Sequence, residues 1–208
     1  MAQSLTLHSG ILYGFERLHV FLYTGSTPEY FVIEGKAGEG GTQKLEIEGL
    51  SKEPTTVAAS DITYYLARKG VGKVTANLTL LDVPFERENL MLGRKTTTDG
   101  TSLIGKETEA PEAAFIAESH LDDGTPVYIS VLRGVFRREK TGADSIDPDE
   151  EFKPEGAEYV FTAQTLISDD KDFNGNTVAT HIGDDAGKEH LFTVLGFEKP
   201  TIPAAPAK

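Results

Sequence analysis

The sequence of 208 residues has no cysteine, no tryptophan and only 2 methionines. Lack of cysteine excludes disulfides, thiolate metal sites and a cysteine nucleophile. Lack of tryptophan disfavours a carbohydrate-binding face of stacked indoles. No apolar run approaches the roughly 18 residues of a membrane-spanning helix. The start, Met1 to Gly10, lacks the basic and apolar regions of a secretory signal, so synthesis and assembly in a cytoplasm are expected. Positive charge is scarce: 20 Lys and Arg stand against 33 Asp and Glu, a formal net charge of −13. That balance argues against wrapping nucleic acid, which needs a basic face, but not against nucleic acid passing nearby.

Motifs of catalysis are missing too. No Gly-x-Ser-x-Gly nucleophile elbow, phosphate loop or dinucleotide fingerprint occurs, and Gly70-Val71-Gly72 is not followed by a helix. The five histidines, His8, His19, His120, His181 and His190, show no two-ligand spacing and read as surface or structural residues.

What is present is alternation. Lys44 to Glu48 sets Leu45 and Ile47 against Glu46 and Glu48. Asp61 to Ala67 places Ile62, Tyr64 and Leu66 on one side. Lys73 to Leu81 points Val74, Ala76, Leu78 and Leu80 one way and Lys73, Thr75, Asn77 and Thr79 the other. The glycine-bearing link 68–72 between the last two predicts a hairpin. One helix is predicted from about Pro84, with Glu86 and Glu88 early and Gly93 as its stop. It would dock through Phe85, Leu92 and Leu90 or Met91. Residues 94–103 read as a loop. Glu112 to Leu121 and Thr125 to Phe136 form a second hairpin around Asp122-Asp123-Gly124, the first strand with Ala113, Phe115, Ala117 and Leu121 inward. Residues 139–156 are a long polar insertion. Ala157 to Ile167 is a strand with Tyr159, Phe161, Ala163, Thr165 and Ile167 on one face. Residues 169–187 are polar, and Leu191 to Phe197 is a strand or a docking arm. The expected fold is mainly β: an antiparallel sandwich or partly open barrel with one short α-helix. A single domain spans 1–199, with an N-terminal arm of about residues 1–12, and 200–208 forms a Pro/Ala-rich tail.

Asp170-Lys171-Asp172-Phe173-Asn174-Gly175 matches the first half of a calcium loop, with Asp170, Asp172 and Asn174 as candidate ligands. His181 stands where the bidentate Glu belongs, and the segment is better read as an Asp/Asn/Gly turn. The acidic run Asp144 to Glu151 reads as a solvated loop, the alternative being a cation or a basic partner. Small basic clusters occur at Arg133, Arg137, Arg138 and Lys140, and at Arg68, Lys69 and Lys73. An acidic surface on another copy of the chain would satisfy them.

Several stretches, in order, resemble the major tail (tail tube) proteins of long non-contractile-tailed bacteriophages, the siphophages. They are residues 13–19 (Tyr-Gly-Phe-Glu-Arg-Leu-His), Thr63-Tyr64-Tyr65, the strand 72–81 and Glu88-Asn89-Leu90-Met91-Leu92-Gly93. Later come residues 111–117 (Pro-Glu-Ala-Ala-Phe-Ile-Ala), Asp123-Gly124, the long strand 128–136, and residues 158–163 after the acidic loop. The resemblance covers roughly 11–167; Leu66-Ala67 stands where the family often has Asp-Asn. No immunoglobulin-like module follows, so decoration of the virion surface is not expected. The resemblance implies a non-enzymatic structural protein of the virion, made in the host bacterial cytoplasm. It implies hexameric rings stacked into a hollow tube through which DNA is ejected without specific binding. Strands would line the bore, with the helix outside and loops or arms reaching the neighbouring ring. Implied partners are further copies of the chain, the tape measure, the tail terminator and distal tail or baseplate proteins, with no membrane and no cofactor. Alternatives are another ring-forming tail component, such as a terminator or distal tail protein, or a calcium-stabilised β-sandwich binding module. Alternation places Glu46, Glu48, Glu112, Glu118 and Glu158 opposite packed faces, which makes them candidates for an acidic lumen.

Overall fold

The computed structural model describes residues 10–25, 28–67, 70–143, 145 and 153–196. Along the chain these form β1 (Leu12–Tyr23), β2 (Glu29–Ile33), β3 (Gly41–Glu48), β4 (Thr55–Ala59), β5 (Ile62–Ala67), β6 (Thr75–Leu81) and α1 (Phe85–Met91). Then follow β7 (Lys95–Thr96), β8 (Ser102–Leu103), β9 (Glu112–Leu121), β10 (Pro126–Arg137), β11 (Ala157–Ala163), β12 (Val178–Ile182) and α2 (Ala186–Val194). Eight strands make one sheet in the order β2-β1-β9-β10-β11-β6-β3, with β12 also paired to β10. All its pairings are antiparallel. Among the described residues no helix is long and apolar enough to cross a membrane.

Alternation explains how the sheet closes. Leu18, Val20 and Leu22 on β1, Ala113 and Phe115 on β9, and Ala76, Leu78 and Leu80 on β6 all join one buried cluster. Residues of one sheet face meet in this way only if the sheet curls over on itself. Phe115 of β9 indeed packs edge-on against Phe161 of β11 at 5.0 Å, and Phe161 against Phe136 at 4.7 Å. Near the closure, the Thr42 hydroxyl of β3 donates to the Phe15 carbonyl of β1. The result is a mainly antiparallel, partly open barrel, as the strand patterns predict.

Helix α1 fits the sequence reading at its ends but docks differently. Met91 and Leu92 enter the core, whereas Phe85 and Leu90 stay 48% and 39% exposed. Glu88 is buried, and its Oε1 accepts from Arg94 Nη1 at 3.1 Å and Arg138 Nη1 at 2.7 Å. Gly93 stops the helix at φ +61°, where a Cβ would lie 1.7 Å from the Glu109 carbonyl oxygen.

Four readings are corrected. The expected hairpin across residues 68–72 is absent as a strand pair: β5 pairs with β4, and β6 pairs with β3 and β11. Residues 94–103 contain the short β7–β8 hairpin rather than an open loop. The strand read over Ala157 to Ile167 ends at Ala163, and Ile167 is 79% exposed. Finally, the described residues contain two helices. The segment read as a strand or docking arm lies largely in α2, and β12 crosses what read as polar connection. Asp185 caps α2 by accepting the Gly187 N–H at 2.8 Å. Leu191, Phe192 and Leu195 then bury against Phe21, Ala114, Ile116, Tyr128 and Leu132, on the face of β1, β9 and β10 opposite the main core. His8, Arg68, Lys69, residues 1–9 of the expected arm, most of the acidic run and the tail 200–208 lie outside the described residues, as does the side chain of Tyr64.

Candidate functional site

Strand register sorts the candidate carboxylates. Directly opposed residues share a sheet face. Glu48 opposes Thr75, which opposes Thr162; Glu46 opposes Asn77, which opposes Val160; Lys44 opposes Thr79, which opposes Glu158. Glu46, Glu48 and Glu158 therefore stand on one face of β3, β6 and β11, all exposed, among threonines and an asparagine. The alternate residues Leu78, Ala76, Tyr159 and Phe161 fill the core behind them. This flank of the barrel presents hydroxyl, amide and carboxylate groups and little apolar surface.

Its charges are partly paired. Lys44 Nζ lies 2.8 Å from Glu46 Oε1, and Lys140 Nζ lies 2.8 Å from Glu158 Oε2. The bond from Lys140 holds the Glu158 carboxyl below its ordinary value and raises the Lys140 ammonium. Such exposed pairs add little stability, but they leave Glu48 as the carboxylate in excess of these two pairs.

Glu112 and Glu118 are not part of this face. Glu112 sits at the start of β9 with Arg133 Nη2 2.6 Å from its Oε1, beside the C-terminal end of α2. Glu118 is only 5% exposed. The expectation that it points into open space is corrected: it does point away from the main core, but α2 covers that side. Its Oε2 accepts from Arg17 Nη1 at 2.8 Å, and its Oε1 lies 3.1 Å from His19 Nε2 and 4.0 Å from Lys188 Nζ. Burial alone would raise this carboxyl, but the bonds from His19 and Arg17 outweigh it and hold it at about 2. Beyond it, His19 Nδ1 meets the Tyr30 hydroxyl at 2.7 Å, and Lys188 of α2 lies over the Tyr128 ring at 4.6 Å. The cluster is a polar clamp between α2 and the sheet.

The described histidines all face carboxylates: besides His19, His120 faces Glu16, His181 faces Asp185 and His190 faces Asp170, at 2.8–3.2 Å. In the loop that begins at Asp170, Asp170 Oδ1 accepts from the N–H groups of Asp172 and Phe173, and Asn174 Oδ1 accepts from Ser168 N–H. These are the bonds of an Asx turn. Among the described residues no three His, Asp or Glu side chains converge as metal ligands would. The basic residues that leave β10 are also paired: Arg133 with Glu112, Arg137 with Glu139, Arg138 with Glu88 and Lys140 with Glu158. They do not form an open basic patch.

The fold is a curled antiparallel barrel with one core-backed polar flank and a helix-covered opposite flank. The phage tail tube protein family matches residues 30–192, and the chain belongs to that family. Comparison with curated proteins gives no match. Membership makes the chain a virion component with a structural role in the tail tube, where it associates with further copies of itself.

Proposed function

We propose that the chain forms hexameric rings, that the rings stack into a hollow conduit for DNA ejection, and that the flank of β3, β6 and β11 faces the bore. The subunit does no catalysis and holds no cofactor in this role; tape measure, terminator and distal tail proteins are its neighbours in the tail. The observation that carries the reading is the register that puts Glu46, Glu48 and Glu158 on one exposed polar face, away from α2. A DNA conduit needs a wall that does not hold phosphate. Hydroxyls and amides bind it weakly, and carboxylates repel it. Six copies around a ring would repeat each carboxylate, and charges within about 8–10 Å of one another act together at physiological salt. The two exposed lysine pairs moderate this field, so the wall is weakly acidic.

A charge-reversed variant tests the reading. Glu46→Lys, Glu48→Lys and Glu158→Lys together should leave the core and the fold intact, since all three side chains are exposed. Assembled variant tubes should retain double-stranded DNA at low salt and release it at high salt, whereas native tubes should not retain it. Equal retention by both would show that this flank does not meet DNA.

A further inference from the structure

The ladder between β10 and β11 ends with Arg137 opposite Val160. Two residues further on, the same register would set Glu139 opposite Glu158, and like charges directly opposed on a sheet repel. The chain leaves the ladder instead. Glu139 turns to Arg137, with its Oε1 3.0 Å from Arg137 Nη2. Lys140 then meets Glu158: its Nζ lies 2.8 Å from Glu158 Oε2, on the flank that also carries Glu46 and Glu48. Glu155, just ahead of β11, adds to the negative field at Lys140.

The side chains of Lys140 and Glu158 are 76% and 62% exposed. A pair this open gains little, because ordering a long lysine side chain on a free backbone offsets most of the attraction. Here the backbone is tied. The Lys140 carbonyl accepts from Arg138 Nε at 3.2 Å. The Arg138 guanidinium is itself fixed against the barrel: its Nη1 donates to Glu88 Oε1 at 2.7 Å, and its Cζ lies 5.6 Å from the centre of the Tyr159 ring. Glu88 is buried on α1 and also accepts from Arg94, and Tyr159 belongs to the main core.

Arg138 therefore uses one part of its fork on a buried carboxylate and another on the peptide that carries Lys140. The substitution Arg138→Lys keeps a positive charge for Glu88 but has no second arm to reach the Lys140 carbonyl. The chain beyond β10 would then be tethered by the strand alone, and the exposed pair would be left to its own small gain.

We propose that Arg138 is a positioning residue for the bore wall: it fixes the Lys140 backbone, so that the Lys140 ammonium stays on Glu158 and cancels one of the three carboxylates of that flank. That the flank faces the bore rests on the tail-tube reading; the relay from Glu88 through Arg138 and Lys140 to Glu158 is a property of the single subunit. Without it each subunit presents one more unpaired carboxylate, repeated around the ring. The charge of the wall is thus set partly by a residue that does not itself stand on β3, β6 or β11.

The test is made on the free subunit, with Arg138→Lys set beside Lys140→Ala, which deletes the ammonium outright. Carboxyl-carbon NMR follows the titration of Glu158, which Lys140 holds below its ordinary value. Lys140→Ala should move the midpoint up, and Arg138→Lys should give at least about half of that movement. Acetylation read by mass spectrometry should modify Lys140 about two- to fivefold faster in Arg138→Lys than in the native protein, with Lys44 as an unchanged reference. The native protein supplies a measurement that needs no variant: the Thr141 amide, which shares a peptide plane with the Lys140 carbonyl, should have an order parameter of about 0.85. A value there below about 0.6, or an Arg138→Lys protein with native Glu158 midpoint and native Lys140 reactivity, would overturn the positioning role and leave the bore reading standing. A midpoint that Lys140→Ala does not move would overturn the pair itself. Charge-reversed tubes that retain no more DNA than native ones would detach the relay from the bore, whatever the free subunit shows.

Discussion

Glu118 obeys the alternation of β9, yet its carboxylate lies under α2 between Arg17, His19 and Lys188. Replacing it by glutamine removes a charge that faces the fully buried His19 and the partly exposed Arg17. Glu118→Gln should lower stability at pH 7 by about 2–3 kcal/mol, less than the full cost of breaking a buried pair because Arg17 keeps Glu34. The pH dependence has a definite sign. The folded carboxyl sits at about 2, below its ordinary 4.5, so its contribution is present above the ordinary value and is lost as pH falls from 4.5 towards 2. Urea denaturation of both proteins should show the gap narrowing across that window; a gap of unchanged size at pH 2 would mean that the ion pair is not its source. Gly134 gives a second test at this scale. A Cβ there would lie 2.3 Å from the Thr162 carbonyl oxygen and 2.5 Å from the Phe161 ring. Gly134→Ala should therefore cost about 2 kcal/mol or more by overpacking the β10–β11 contact; a neutral result would show that the strand pair can widen freely there.

Among the secondary-structure elements, strands with one buried and one open face were the most legible. Residues 75–81 alternate cleanly because β6 lies in mid-sheet with core on one side and the polar flank on the other. On β9, by contrast, residues 113–119 are buried without interruption, since α2 covers the second face, and the alternation there reports only half of the packing. Helix α2 escaped the pattern because its anchors Leu191, Phe192 and Leu195 form a short apolar run that periodicity cannot divide between strand and helix. The readable signal was Asp185, a capping residue ahead of that run. The missing β5–β6 hairpin has a different cause: glycines announce a turn but not which strand the returning chain will pair with. Of the candidate lumen residues, facing direction was legible, but cover was not. Sequence could place Glu118 opposite the core and could not know that a helix beginning 95 residues after the end of α1 lies over it. Phe192→Ala probes that cover. Phe192 is 2% exposed and packs edge-on against His19 at 5.2 Å and Phe21 at 5.9 Å. The variant should lose about 3–4 kcal/mol, and amide exchange should quicken in α2 and the adjoining part of β1 while the β3–β6 ladder stays protected. Uniform loss of protection would instead make α2 part of a single cooperative core.

At the scale of the whole molecule, two flanks of one barrel have different surfaces. The flank of β1, β9 and β10 is closed by α2 and its polar clamp, and the flank of β3, β6 and β11 is left open with threonines, Asn77 and three carboxylates. A net charge of −13 does not by itself say where the acid lies; the register places Glu46, Glu48 and Glu158 together on the open flank. The most direct measurement is a cryo-electron microscopy reconstruction of tubes assembled from the native chain, at a resolution that traces strands. In the proposed tube β3, β6 and β11 line the bore, Glu46, Glu48 and Glu158 point into it, and α2 lies on the outside. A bore lined by α2, or by Lys73 and Arg133 in place of the three carboxylates, would contradict it.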